Sequence, residues 1–317
     1  MKRLFAAVAL FCSMTSAASA ETILGYNLFT GELDNNFGSF STSFAPMSNL
    51  EADNGALWGF SQSGSTVLGY NLFTGELENN LGSFNTSFED STDLAAANSI
   101  LWGFAAGSST ILGYNLFMGQ LENNVGSFST SFSSATELAA YNGIIWGMSQ
   151  NGTTALGYNL FTGQLENNLG SFSTAFAPTS ALAADNNILW GFAQGSSTVL
   201  GYNLSTGELE NNVGSFSTSF ASTTDLVIYN GILWGLAQDG TTVLGYNLFT
   251  GQLENNVGSF NSSFASSSDL AAINGQLWGF AEPPIPPVPL PAGAWLLLSA
   301  LGGLGFAGWR RKRTLAA

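Results

Sequence analysis

The chain of 317 residues contains no histidine, and its basic residues are confined to its two ends. The six Lys and Arg stand at positions 2, 3 and 310–313, whereas all 21 Asp and Glu lie between Glu21 and Glu282. The only cysteine, Cys12, falls in an apolar N-terminal stretch. The central part therefore excludes Ser-His and Cys-His nucleophiles, Schiff-base lysines, His or Cys zinc sites and Arg clamps for phosphate.

Charge is also scarce, because only 9% of the residues are charged, and the formal net charge is −15. An anionic surface repels phosphate and releases no counterions on contact with it, so the composition excludes nucleic acid as a partner. The 38 glycines and the low charge exclude a coiled coil or an acidic disordered tail. They indicate a folded protein that is rich in turns.

Residues 1–20 have the features of a secretory signal peptide. Lys2 and Arg3 supply the charged start, an apolar stretch follows, and Ala18-Ser19-Ala20 forms a cleavage site of small residues. The sequence therefore predicts an exported protein whose mature chain begins near Glu21.

The C-terminal end predicts a membrane segment. Residues 283–292 form a proline-rich, extended linker, and residues 293–309 form an apolar run. At about 1.5 Å per residue, this run is just long enough to be a transmembrane helix. Residues 310–317 are a basic tail that stays cytoplasmic and leaves the preceding chain outside, and its basic residues are Arg310, Arg311, Lys312 and Arg313. An ordinary C-terminal anchor is one interpretation.

A second interpretation comes from the residues just before this run, Val288, Pro289, Leu290, Pro291 and Ala292. Followed by a short helix and an Arg-rich end, they resemble the VPLPA class of PEP-CTERM sorting signals of Gram-negative bacteria. The resemblance implies recognition and cleavage by an exosortase-type membrane protease, after transient anchoring in the inner membrane. It also implies a final location at the cell surface or outside the cell, often with exopolysaccharide or biofilm matrix.

The region between the two ends is one unit repeated six times, with a step of 44 residues and no insertion. Two aromatic positions mark it: Tyr26, Tyr70, Tyr114, Tyr158, Tyr202 and Tyr246, and Trp58, Trp102, Trp146, Trp190, Trp234 and Trp278. A fixed period of this length with several short strands per unit is typical of a propeller or a solenoid.

One unit contains signals for four antiparallel strands. Residues 225–229 and 232–237 flank an Asn-Gly hairpin turn, residues 242–248 form a third strand, and residues 252–257 follow a Thr-Gly turn as a fourth. Four such strands make a propeller blade.

The chain starts in a third strand and ends after a second, so one blade takes two strands from each end. Such a clasp favours a closed ring because it removes two exposed sheet edges. We therefore predict an all-β, six-bladed propeller over residues 21–282, with a β-solenoid as the alternative.

Each recurring aromatic has two interpretations. One Trp in every unit is either a platform for stacking sugars or part of the core between blades, and its recurrence favours the core. Gly25 and Gly59 are expected to give room to an aromatic ring from the next blade. Paired Phe residues are expected to plug the connection between the fourth strand and the next blade: Phe40 with Phe44, and Phe128 with Phe132.

Two sets of acidic residues are candidate sites. The first precedes the Asn-Asn steps such as Asn79-Asn80, and its members are Asp34, Glu78, Glu122, Glu166, Glu210 and Glu254. Their oxygen ligands suit Ca²⁺, whereas the alternative is a solvated outer strand that discourages edge pairing.

The second set stands at the start of the innermost strand: Asp93, Glu137, Asp225 and Asp269, with Asn49 and Ala181 in the other two units. These four carboxylates are expected to crowd one mouth of the central channel, and to raise one another's pKa or recruit a cation such as Ca²⁺. They are the predicted ligand site, and the alternative is capping of the local turn.

Two functional classes follow from these observations. The favoured class is a non-enzymatic protein of the cell surface or matrix that binds or makes structural contacts, in which no residue is catalytic and Ca²⁺ is the only candidate cofactor. The alternative is a propeller-type polysaccharide hydrolase or lyase that uses paired carboxylates. The deviations among the six units create no distinctive acid pair, which disfavours the enzyme.

Overall fold

The computed structural model describes residues 20–34, 38–46, 48–78, 81–90 and 92–282. This part of the chain is all β and contains no helix, so it has no helix long and apolar enough to cross a membrane. Apart from Ala20, the predicted signal peptide lies outside the described residues. So do the linker with its VPLPA motif, the predicted transmembrane helix and the basic tail.

The strands form six antiparallel sheets, which we number as blades 1 to 6. In that order, the inner strands are Leu50–Asp53, Ala95–Ala97, Ala139–Tyr141, Leu182–Asp185, Val227–Tyr229 and Leu270–Ile273. The second strands are Ala56–Phe60, Ile100–Phe104, Ile144–Met148, Ile188–Phe192, Ile232–Leu236 and Gln276–Phe280. The third strands are Thr66–Asn71, Thr110–Asn115, Thr154–Asn159, Thr198–Asn203, Thr242–Asn247 and Glu21–Asn27. The outer strands are Ser83–Asn85, Ser127–Ser129, Ser171–Ser173, Ser215–Ser217, Ser259–Asn261 and Ser39–Thr42, and blade 2 adds Gln120–Leu121.

The six inner strands neighbour one another in a closed circle. The predicted six-bladed propeller is therefore confirmed, and the open solenoid is excluded. Blade 6 takes its two outermost strands from the start of the described chain and its two innermost strands from the end. Within this sheet, Ile23 pairs with Phe280 and Asn27 pairs with Gln276. That the shared sheet holds the ring closed remains a prediction.

The turn between the inner and second strands follows the predicted Asn-Gly pattern. Asn54 and Gly55 have φ angles of 52° and 78°. Two consecutive residues with positive φ form the tight hairpin turn that matches the twist of the flanking strands. Asn occupies the first position of this turn in every blade, with positive φ at Asn98, Asn142, Asn186, Asn230 and Asn274 as well.

The predicted fourth strand over residues 252–257 is wrong, because the outer strand of that blade is Ser259–Asn261. The intervening segment is a loop, and its only β-type pairing with the third strand is an isolated bridge between Tyr246 and Leu253. A side-chain bond also joins the loop to this strand, because Nδ2 of Asn247 donates to Oε2 of Glu254 at 3.0 Å. The pairing resumes after Gly258.

The hydrophobic core lies between blades, as predicted for the recurring Trp. Trp102 and Phe128 of blade 2 cluster with Ile145, Leu156 and Tyr158 of blade 3. The indole N–H groups of all six recurring Trp are buried without an acceptor in the protein. Each unpaired N–H costs about 1–3 kcal/mol, whereas a buried Trp removes about 150–250 Å² from water, worth about 4–6 kcal/mol. Burial of the ring therefore outweighs the loss of the hydrogen bond.

The expectation that a glycine makes room for a neighbouring blade is wrong for Gly25 and holds for Gly59. A Cβ on Gly25 would overlap the indole ring of Trp278, which is the cross-strand partner of that glycine in the same sheet. A Cβ on Gly59 would lie 3.0 Å from Phe44, which lies in the connection from the outer strand of blade 6 to the inner strand of blade 1. Gly25 is thus covered by its own sheet, and Gly59 is covered by the connection from the blade before.

The Phe pairs also differ from their predicted place, since Phe128 belongs to an outer strand and not to a connection. Phe128 and Phe132 both contact the ring of Tyr158 in the next blade, with centroids 6.0 and 5.1 Å away. The hydroxyl of Tyr158 accepts a hydrogen bond of 2.9 Å from the backbone N–H of Ser131. The same bond recurs at all six blade interfaces, with Tyr26, Tyr70, Tyr114, Tyr202 and Tyr246.

Candidate functional site

The ring has two faces with different residues. We call the side on which the inner strands begin the entry face; it carries Asp93 and its equivalents. We call the opposite side the turn face; it carries the hairpin turn at Asn54 and Gly55 and its equivalents, together with the loop between the third and outer strands.

The structure brings the four predicted acidic residues together. Asp93, Glu137, Asp225 and Asp269 line a channel cavity of about 200 Å³ that is bounded by the inner strands of all six blades. Their side chains are half-buried and remain partly open to the channel. Asn49, which takes the equivalent place in blade 1, donates from Nδ2 to Oδ1 of Asp93 at 3.0 Å.

Three of these carboxylates link a blade to the next one. Asp93 accepts the backbone N–H of Leu138, and Asp225 accepts that of Leu270 at 3.0 Å. Asp269 accepts the backbone N–H of Leu50, so the same contact spans the junction between the last and first blades. Asp225 also accepts the N–H of its own neighbour Leu226 at 2.7 Å, which is local capping. The residues thus cap their turns and join the blades at once.

The four acids act on one another's protonation within the channel. The Asp93 charge and burial raise the pKa of Glu137 to about 10. Burial, followed by the charge of Asp93, raises the pKa of Asp225 to about 6. Burial also raises the pKa of Asp93 and, with the charge of Asp225, that of Asp269. The channel acids therefore keep their protons to a higher pH than ordinary carboxyl groups do.

A fifth carboxyl group, Glu51, also lines the channel, and sequence reasoning missed it. Burial and the charge of Asp93 raise the pKa of Glu51 well above its usual value. A signal was present, because the equivalent positions of the other five units hold Ala or Val. A residue that departs from its repeat is a better guide to the channel than the recurring ones.

The predicted Ca²⁺ site finds no matching cluster. Among residues 20–282, as far as the structure describes them, no three His, Cys, Asp or Glu side chains converge to hold a metal ion. At the channel mouth, both oxygens of Asp93 and both of Asp225 already accept hydrogen bonds. The donor set therefore does not fit a Ca²⁺ site, which needs six to eight oxygen ligands around one point.

The other acidic set lies in the loop of the turn face and not on an outer strand. In blade 3, Asn159 donates from Nδ2 to Glu166 at 3.0 Å, and this bond lowers the pKa of Glu166. The same bond lowers the pKa of Glu254, through Asn247. The set thus stabilises a loop. The Asn79-Asn80 step lies outside the described residues.

The turn face also exposes aromatic rings that sequence reasoning did not single out. Five equivalent phenylalanines are 64–72% exposed: Phe29, Phe73, Phe117, Phe161 and Phe249. The signal was their recurrence two residues after each Gly-Tyr-Asn, with Ser205 as the one departure. A large apolar side chain kept exposed in five units indicates a contact surface.

No protein-family model and no curated protein matches the chain. Among solved structures, Myxococcus xanthus glutaminyl cyclase matches at 12% identity over 68% of this chain and 89% of its own, with a TM-score of 0.42. Kluyveromyces lactis Hsv2 matches at 10% identity over 70% and 67%, with a TM-score of 0.46. A nidogen/laminin complex matches at 10% identity over 76% and 93%, with a TM-score of 0.48. These weak likenesses carry no information on activity or ligand.

Proposed function

We propose that this chain is an exported, non-enzymatic protein of the cell surface or extracellular matrix, which acts by binding or structural contact, with exopolysaccharide as a candidate partner. One observation carries the proposal. Asp93, Asp225 and Asp269 accept backbone N–H groups of the next blade, whereas the recurring residues left exposed on the turn face are phenylalanines. Such a ring offers a surface for contact.

The bonds of the channel acids argue against the alternative of a polysaccharide hydrolase or lyase. Glycosidases need two carboxyl groups that are free to reach the glycosidic bond and the nucleophile or water. Here both oxygens of Asp93 and both of Asp225 already accept hydrogen bonds within the protein. We expect no release of reducing ends from polysaccharides, and release that disappears in Asp93→Asn would establish the enzyme instead.

The proposal includes sorting through the C-terminal segment, on the basis of its resemblance to a VPLPA signal. We expect the native surface form to lack residues 293–317, because the exosortase-type protease removes the membrane segment. Changing Pro289 and Pro291 to Ala should leave uncut precursor in the inner membrane, since hydrophobicity and positive charge still drive insertion.

Mass spectrometry of the native C-terminus, combined with labelling of the cell surface, tests this part of the proposal. A matched control changes Pro283 and Pro284 to Ala, outside the motif, and should be processed normally. An intact Ala317 on the surface protein would identify an ordinary anchor, and a chain that stays in the cytoplasm would overturn the proposed function.

A further inference from the structure

The exposed phenylalanines of the turn face are held in a fixed position. In blade 3, Oδ1 of Asn159 accepts the backbone N–H groups of Phe161 and Thr162 at 2.9 and 3.1 Å. A Cβ on Gly143 would lie 2.7 Å from Cε2 of Phe161, so one edge of the ring rests on the hairpin turn. The other side is open, since Phe161 is 68% exposed. A fixed aromatic face loses little entropy on binding a ligand.

Phe161 borders a cleft between two blades. The cleft between blades 2 and 3 has a volume of about 510 Å³, within the range of about 300–1,000 Å³ found for small-molecule sites. Its polar residues are Asn98, Glu122, Asn123 and Asn124; its apolar residues include Ile100, Trp102 and Val125, and Phe161 bounds it. Amides supply both donors and acceptors, and the carboxylate supplies acceptors.

The equivalent cleft between blades 3 and 4 is an internal comparison. It is lined by the equivalent Asn142, Glu166, Asn168 and Trp146, but Ser205 replaces the Phe, and the volume is about 370 Å³. Here Asn187 takes the place of the turn glycine and donates from Nδ2 to Oγ of Ser205 at 2.7 Å. Blade 4 thus keeps the polar groups and lacks the aromatic face.

Charge selects among the ligands that such clefts would accept. Residues 21–282 contain acidic side chains and no basic one, and Glu32 and Glu76 stand on the same loops as Phe29 and Phe73. Anionic polysaccharides, anionic lipids and a second copy of this face are therefore repelled. An aromatic face beside amides and carboxylates, without a cation, suits a ligand with hydroxyl groups, apolar C–H faces and no charge.

We propose that the clefts between blades on the turn face bind neutral sugar units of a polysaccharide, with the exposed Phe of each cleft stacking on a sugar ring. This inference rests on the proposed function and names the partner and the site. The exposed Phe recurs in five blades, so a polymer that reaches several of them gains avidity that a short oligosaccharide lacks.

The test is affinity electrophoresis of the full chain in native gels that contain a polysaccharide. The probes are three neutral polymers, dextran, laminarin and galactomannan, with alginate as the acidic counterpart. We expect retardation by at least one neutral polymer and none by alginate. Competition with oligosaccharides of the retarding polymer should require higher sugar concentrations than competition with the polymer itself.

The variants use blade 4 as the matched control. Phe161→Ser should weaken retardation roughly three- to tenfold, as expected for the loss of one aromatic contact in a multivalent site. Ser205→Phe combined with Asn187→Gly, which copies the residues of blade 3, should strengthen it by a similar factor. Ser205→Ala should change nothing. Phe161 and Ser205 are exposed and Asn187 is half-buried, and thermal melting verifies that each variant folds.

The inference is overturned if no neutral polymer retards the chain, if only alginate does, or if Phe161→Ser leaves the retardation unchanged. Phe-dependent binding to the producing cells that survives periodate oxidation of their glycans would identify a protein partner and overturn it as well. If the chain reaches the cell surface but fails the gel test, this inference alone is overturned. If the chain stays in the cytoplasm, the proposed function is overturned whatever the gel shows.

Discussion

The entry face and the turn face are built from the same repeated unit, yet they use their side chains in opposite ways. On the entry face, the carboxyl groups of Asp93 and Asp225 accept hydrogen bonds from the backbone of the next blade. On the turn face, Phe73 and Phe161 are about two-thirds exposed. The difference teaches that recurrence alone does not identify a site, because both sets recur and only one is left open for contact.

The largest expected effect concerns blade 6, the sheet that takes strands from both ends of the described chain. Deleting residues 22–38 removes the third strand of blade 6 and leaves Gln276–Phe280 as an unpaired edge. Because an exposed edge pairs with other chains, we expect aggregation and no cooperative melting. Size-exclusion chromatography with light scattering measures it.

The control for that deletion removes a whole unit, residues 94–137, which joins Asp93 to Leu138 and leaves every remaining sheet complete. We expect a soluble smaller ring or a dimer. Equal behaviour of the two deletions would show that the shared sheet does not hold the ring closed.

The second effect is a pH dependence with opposite signs on the two faces. The pKa values of the channel acids are raised in the folded protein, to about 6 for Asp225 and about 10 for Glu137. The folded state therefore keeps protons that the unfolded chain loses above about pH 4. Stability from this face is complete below that pH and falls as the pH rises through the folded values. We expect the melting temperature to decline between about pH 5 and 9.

The turn face acts the other way, because the pKa values of Glu166 and Glu254 are lowered by their Asn partners. Their contribution is present above about pH 4 and is lost as the pH falls further. Asp93→Asn with Glu137→Gln should flatten the decline at high pH, whereas Glu166→Gln should act only above about pH 4. A melting temperature that rises from pH 5 to 9 would contradict the channel pKa shifts.

A smaller effect separates buried from exposed aromatic residues. Tyr158→Phe removes the acceptor for the N–H of Ser131, and we expect a loss of about 1 kcal/mol, or about 2–4 °C in melting temperature. Phe161→Ser, on the turn face of the same blade, should stay within about 0.5 kcal/mol. Urea unfolding of both variants makes the comparison, and equal losses would mean that the Phe ring has a structural role.

The smallest expected effect is that of Ca²⁺. Since no group of acidic residues in the described part of the chain is arranged to hold a metal ion and the channel acids hold protons, we expect millimolar Ca²⁺ to shift the melting temperature by less than about 1 °C. A larger rise that disappears in Asp93→Asn would restore the cation site that the sequence suggested.

Much of the fold was predictable, because turns and periodicity depend on local chemistry. The Asn-Gly turn at Asn54 and the recurring Trp and Tyr fix the strand number and the blade count. The outer strand was misplaced because residues 252–257 follow a Thr-Gly turn as a hairpin strand would, whereas the loop is fixed by a side-chain bond from Asn247 to Glu254. Composition does not record such a bond.

The partners of the aromatic residues were less predictable for a different reason. In a perfect repeat, a contact within one blade and a contact with the next leave the same periodic pattern. The sequence therefore could not say that Trp278 covers Gly25 in its own sheet, while Tyr158 contacts Phe132 from the blade before. Only departures such as Glu51 and Ser205 carry information about a single position.

The bond from Leu50 to Asp269 has a consequence for where the chain begins. It repeats, between the last and first blades, the contact that Leu138 makes with Asp93 within the chain. At this contact the interface between the last and first blades is equivalent to the interface between blades 2 and 3. The geometry of the ring therefore does not depend on which blade comes first in the chain. A circular permutant that joins residue 282 to residue 21 and opens the connection before Asp93 should rebuild the same ring. New rings can then arise by duplication of whole units, wherever the gene happens to start.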